Sequence, residues 1–290
     1  MTAETRPGLP LGVGVPPADG DELSRRVAAS LREGAGGVRI ERLPDSAVTA
    51  SVAGFDIVEL AIDITGAHLA VPSGAADDAA GDDVAAPEGV TVGRGVAHRI
   101  RVQGAPVVIS DAPVAVDVDL REVPIRWVRR QDDTLELCDE LDSPDSPGPQ
   151  GRARLSVARD AVPLLVEGLV RDAAGPDLRL REAALSFSDE GQDAVAVAGD
   201  AHVSMAGLGA RVQISGVVRV AEGTRIRVDG FDIRSRNILA AAALAAVRSR
   251  IAEAASQELD LTTVLPVGLS GARVGIAAPD GGLELAATFD

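Results

Sequence analysis

Apolar and polar residues alternate with a period of two along most of this chain. Val212, Ile214, Val218 and Val220 share one parity, with Arg211, Gln213 and Arg219 on the other, which predicts a half-buried strand. After a turn at Ala221-Glu222-Gly223, Ile226 and Val228 alternate with Arg225, Arg227 and Asp229 and predict the return strand of a hairpin. Ile100 and Val102 stand against Arg99, Arg101 and Gln103 in the same way. So do Val114, Val116, Val118 and Leu120 against Ala115, Asp117, Asp119 and Arg121. One dry face and one wet face is the pattern of antiparallel sheet. Further strands are predicted within 38–71 and 90–128, and over 152–157, 178–187, 194–205, 272–277 and 283–289, the last two turned at Pro279-Asp280-Gly281-Gly282.

Three stretches change to the helical period. Leu23, Val27 and Leu31 share a helix face that Asp21 can cap and Gly34-Ala35-Gly36-Gly37 ends. Val162, Leu165, Val166 and Leu169 follow a capping Asp160, with Pro163 in the first turn, where its missing N–H costs nothing. From Asn237 to Ser256, Ile238, Ala241, Leu244, Val247, Ile251 and Ala255 recur at three- and four-residue steps. Residues 1–19 read as a flexible N-terminus. Residues 20–290 read as a single elongated domain in two parts, 20–138 and 152–290, joined by an acidic, Pro-rich loop at 139–151. Residues 72–89 are acidic and aperiodic and read as a disordered, solvated loop.

Composition narrows the function classes. The 290 residues carry a net charge of −16, every one of the 28 basic residues is Arg, and only five aromatics are present. That charge opposes binding to nucleic acid, whose affinity comes largely from neutralised phosphates, and electrostatic adhesion to anionic lipid. Yet residues 210–250 hold eight Arg against three acids, so a local basic face is compatible with the acidic total. The first twenty residues lack a signal peptide's apolar run, and no later stretch has the length of a membrane span, so the expectation is a soluble, cytoplasmic protein.

Catalytic signatures are missing. His68, His98 and His202 stand far apart without metal-ligand spacing, and Gly268-Leu269-Ser270-Gly271 lacks the setting of a nucleophile elbow. Paired carboxylates such as Asp117 and Asp119 fall on a wet strand face. The lone Cys138 allows no internal disulfide, and its acidic neighbours Glu136, Asp139 and Glu140 suppress the thiolate. No enzyme, metal or cofactor is expected. A Val-rich sheet with amphipathic helices then makes either a closed core or an apolar groove between sheet and helices.

The order of these elements, with Leu265-Pro266-Val267-Gly268-Leu269-Ser270-Gly271-Ala272-Arg273-Val274 and Asp280-Gly281-Gly282-Leu283-Glu284-Leu285, resembles the actinobacterial LmeA-like phospholipid-binding family over about residues 38–290, best from Arg152 onward. The resemblance implies an α+β, tubular lipid-binding-like fold: a strongly curved antiparallel sheet wrapped around amphipathic helices. It implies non-enzymatic binding of a phospholipid or another amphiphile, with transient membrane contact at the cell envelope. The groove would be lined by Val162, Leu165, Val166, Leu169, Ile238, Leu244, Val247, Ile251, Leu265 and Leu269. Arg225, Arg227, Arg234 and Arg236 would meet the head group. An export segment like the family's is not expected from this sequence, and its acidic inserts differ from the family pattern. The alternative is a cytosolic protein-interaction or scaffold protein with the same fold and a filled core.

Overall fold

A computed structural model describes residues 8–34, 39–70, 89–140, 148–174, 178–191, 193–205, 208–221, 225–235, 259–260 and 272–289. The N-terminal elements are β1 (Leu9–Val13), α1 (Gly20–Glu33), β2 (Arg39–Glu41), β3 (Val48–Ala53), β4 (Asp56–Asp63) and β5 (His68–Ala70). Two long strands follow, β6 (Val90–Ile109) and β7 (Ala112–Arg129), then β8 (Thr134–Asp139), β9 (Gln150–Val157) and α2 (Val162–Ala174). The remainder comprises β10 (Leu178–Asp189), β11 (Ala194–Met205), β12 (Leu208–Val220), β13 (Arg225–Ser235), β14 (Leu259–Asp260), β15 (Arg273–Ala277) and β16 (Leu283–Phe289).

These strands form two sheets. Eleven build the larger, along the path β15-β16-β9-β7-β6-β4-β3, with β8 and β1 extending from β7 and with β5 and β2 extending from β6. Five build the smaller, in the order β10-β11-β12-β13-β14. The β6–β7 hairpin is the spine of the larger sheet. Its turn is Ser110-Asp111, flanked by the pair Ile109 and Ala112, and both turn residues have positive φ, 46° and 68°. A two-residue turn of that kind matches the twist of antiparallel strands.

The apolar parity of these strands makes the main core. Trp127, Leu23, Ile57, Leu135, Val27, Val107 and Val162 are among its fully buried side chains. Trp127 Nε1 donates to the Phe55 carbonyl at 2.9 Å, so the one polar atom of its ring is satisfied inside the core. The opposite parity is ion-paired across strands. Arg99 and Arg121 stand directly opposite each other on β6 and β7, and Asp119 serves both. It takes two hydrogen bonds from Arg99, at 3.1 and 2.7 Å, and lies 4.0 Å from Arg121. Arg152 pairs with Asp117 at 3.6 Å and Arg154 with Glu284 at 3.5 Å, carrying the same face across β9 to β16.

The expected α+β fold, a strongly curved antiparallel sheet wrapped around amphipathic helices in tubular lipid-binding-like form, does not occur. The described residues are mostly strand, and their two α-helices lie at sheet margins. α1 packs on β1, β2 and β3; α2 packs on β10 and the β6–β7 hairpin. Length supplies the reason. Helices of 14 and 13 residues extend about 20 Å, whereas the 20-residue β6 extends about 65 Å, so neither helix can serve as the axis of such a sheet. The sheet is also mixed in direction, because β4 and β5 run parallel to β6. The residue capping α1 is Asp19, whose carboxylate accepts from Glu22 N at 2.8 Å; Asp21, the expected cap, lies in the first turn. The two parts expected on either side of 139–151 share one sheet, since β9 pairs with β7 from Gln150 opposite Arg121 to Val157 opposite Val114, and Asp139 and Gln150 already lie in strands. The helix expected over 237–256 and the acidic stretch 72–88 lie outside the described residues.

Two outcomes follow for stability. Trp127→Ala empties the most voluminous fully buried site and should cost about 3–5 kcal/mol, read by urea unfolding followed by circular dichroism. The Arg99 hydrogen bonds hold the Asp119 carboxyl below its ordinary value of 3.8. A depressed folded pKa contributes stability that is complete above the unfolded value and is lost as pH falls through the folded one. Asp119→Asn should therefore flatten the pH dependence of unfolding free energy below about pH 4, leaving the slope above pH 5 unchanged.

Candidate functional site

α2 is apolar on nearly every side of its first nine residues, Val162-Pro-Leu-Leu-Val-Glu-Gly-Leu-Val170. A helix of that kind belongs in an interior, and part of it is there: Val162 is buried, and Leu165 and Val166 pack against the main core. Leu164 is not; it is 45% exposed. Two local contacts fix the helix to the tip of the β6–β7 hairpin. Gly168 sits so close to Ser110 that a Cβ would collide with the Ser110 carbonyl. Arg171 Nη1 pairs with Asp111 Oδ2 at 2.9 Å. On its other side α2 meets β10, where Glu167 Oε1 lies 3.4 Å from the Ala183 amide that donates to it. A bulge between Arg181 and Ala184, with Glu182 at φ 51°, bends β10 beside the helix.

Between the start of α2 and β10 lies a cleft of about 580 Å³, open to solvent and lined by Arg159, Asp160, Pro163, Ala184, Leu185 and Ser186. It adjoins the smaller sheet, which is one-sided. Pairing places Leu185, Phe187, Val195, Val197, Ala201, Val212, Ile214, Val218 and Val220 on one face. Val195, Ala201 and Val212 are buried there, and Ile214, Val218 and Val220 are half-buried. At one end Val195 packs with Ile276 and Ala278, and the Ala278 amide donates to Asp189 Oδ1 at 2.7 Å, which joins this sheet to β15 of the larger one.

The other face is charged, and the predicted head-group arginines are on it. Arg219 is directly opposite Arg227, while Val218 faces Val228. Strand alternation therefore turns Arg225 and Arg227 away from the apolar side. A bulge between Ser215 and Val217 shifts the parity of β13, which puts Arg234 beside Gln213 on the same charged face. All three are exposed. Asp229 serves Arg227 at 2.7 Å and Arg219 at 3.4 Å, and Asp232 serves Arg234 at 2.5 Å. They do not converge with the apolar residues of α2. Leu169 falls within α2, but its side chain lies outside the described residues, as do Ile238, Leu244, Val247, Ile251, Leu265, Leu269 and Arg236 altogether.

Three residues of this site escaped the sequence reading: Arg159, the cation at the cleft, Leu164, and Gly168. Leu164 falls outside the i, i+3, i+4 stripe. The signal available was the run itself, which carries one charge in nine residues. Among the described residues no group of three His, Cys, Asp or Glu could hold a metal ion. His68 Nε2 is 3.1 Å from Arg42 Nη1, His98 Nδ1 is 3.2 Å from Glu122, and His202 is exposed. No helix among the described residues is long and apolar enough to cross a membrane. Compared with protein-family models, curated proteins and solved structures, the chain matches none.

Because the Ser110 carbonyl is backbone and cannot swing aside, Gly168→Ala must lift α2 off the hairpin tip. We expect a loss of about 1–3 kcal/mol, the usual cost of overpacking, in urea unfolding, with Arg171→Ala costing much less because that pair is solvent-exposed.

Proposed function

We propose that this protein binds an amphiphile, a phospholipid being the class implied by the resemblance of the sequence, along α2 and the apolar side of the smaller sheet. One observation carries the reading: a helix whose first nine residues carry a single charge, anchored at both flanks, leaves Leu164 45% exposed next to Pro163, which lines an open cleft. An acyl chain on that surface gains about 0.8 kcal/mol per methylene, enough for useful affinity without a dedicated cation cage. The polar end of the ligand then lies toward Arg159 and Asp160 at the cleft. With a net charge of −16, the protein meets zwitterionic membrane more readily than anionic membrane, and its membrane contact is transient. A second reading, a protein-interaction module, is favoured by the fully buried side chains from Leu23 to Val162, which need no ligand to complete them.

Native mass spectrometry of the purified protein, before and after incubation with phosphatidylcholine vesicles, tests the two. Near-stoichiometric phospholipid is expected. Leu164→Arg, at a position exposed enough to keep the fold, should weaken retention by about tenfold or more, the equivalent of one lost leucine contact. A protein that stays lipid-free after vesicle incubation favours the interaction module. Unchanged retention in folded Leu164→Arg removes α2 from the site.

A further inference from the structure

We propose that β1 is a strap that detaches from β8 while the rest of the fold stays intact, opening the edge of β8 and the thiol of Cys138. Its ladder is weak. Only Leu9 with Leu137, Pro10 with Glu136 and Val13 with Thr134 are in register, and the register breaks between Pro10 and Val13. Pro10 has no N–H to give, and the Gly14 amide reaches the Asp133 carbonyl only at 3.4 Å. Val13 and Val15 are 71% and 63% exposed, so the strand is seated by two side chains, Leu11 at 2% and the half-buried Leu9. The hinge is present in the sequence. Gly12 and Gly14 have φ of +76° and +133°, and Arg26 Nη1 of α1 holds the Val15 carbonyl at 3.0 Å just beyond them.

One group beside the strap favours its release. Pro10 is paired opposite Glu136, which forms a close ion pair with Arg130, their side chains only 15% and 8% exposed. Unseating Leu11 and Leu9 costs apolar burial, and the ion pair alongside offsets part of that cost by recovering hydration it gave up on burial. Gly8 lies against Cys138 so tightly that a Cβ would stand 2.5 Å from the sulfur and 2.9 Å from the Leu137 carbonyl. Burial, and then the Glu136 charge, push the Cys138 thiol up from its ordinary value. Shut, the strap leaves a thiol that is both covered and protonated.

Cys138 is the chain's single cysteine, which makes it a clean reporter. The experiment measures its labelling by Ellman's reagent in the full chain at fixed pH, across urea concentrations below the unfolding transition. Local opening exposes little surface, so a rate almost independent of urea is expected. Gly8→Ala, which wedges the strap outward, and Leu11→Ala, which unseats it, should each raise that rate at least about tenfold. A rate that climbs with the urea slope of global unfolding overturns the proposal. So does the absence of labelling in the intact wild-type protein.

Discussion

The ladder between β6 and β7 is the constraint on which the rest of the molecule depends. It pairs residues from Val90 opposite Arg129 to Ile109 opposite Ala112, broken only by two bulges. Every principal neighbour in the larger sheet takes its register from one of these strands: β4 and β5 from β6, and β8 and β9 from β7. A slip of one residue would turn Trp127, Ile125 and Val123 to water and Arg126 and Asp119 inward. The ladder therefore sets which side chains form the core and where the charges lie. Its turn also sets the position of α2, because the Ser110 carbonyl receives Gly168 and Asp111 receives Arg171.

Charge is handled differently in different parts of the fold. On the wet face of the larger sheet, like charges placed opposite each other by register are reconciled through a shared carboxylate, as Arg99 and Arg121 are through Asp119. The smaller sheet repeats the device with Arg219, Arg227 and Asp229. These exposed clusters add little free energy each. Their consequence is local: each shared carboxylate offsets the repulsion between two guanidinium groups that register places opposite each other. The Arg130–Glu136 pair is of another kind, because it is covered by chain and its hydration has been given up.

The smaller sheet and α2 both border the main core, through Phe187 and Val220 on the one and Leu165 and Val166 on the other. Toward β15, Val195, Ile276 and Ala278 close the seam between the sheets. Toward α2, Leu164 and the cleft remain open. Amphiphile binding on that surface would need no rearrangement of the hairpin, since the helix is already held from beneath.

Local patterning determined much of this structure. Period-two alternation specifies the strands and which residues of each are dry, and it does so for Arg225 and Arg227 as surely as for Val218 and Val220, since alternate side chains must leave opposite faces. The helical period specifies α1 and α2, and the absence of metal-ligand spacing among the histidines is equally a property of the chain. What alternation does not encode is direction, partner or order. It could not announce that β4 runs parallel to β6, that β9 pairs with β7, or that the two described helices lie at sheet margins and not inside a curved sheet. It also could not distinguish an arginine beside a groove from one on the reverse of the sheet, because that depends on a bulge in β13 and on which face meets the core. Those choices belong to tertiary structure, where long-range pairing decides among many arrangements that satisfy the same local pattern equally well.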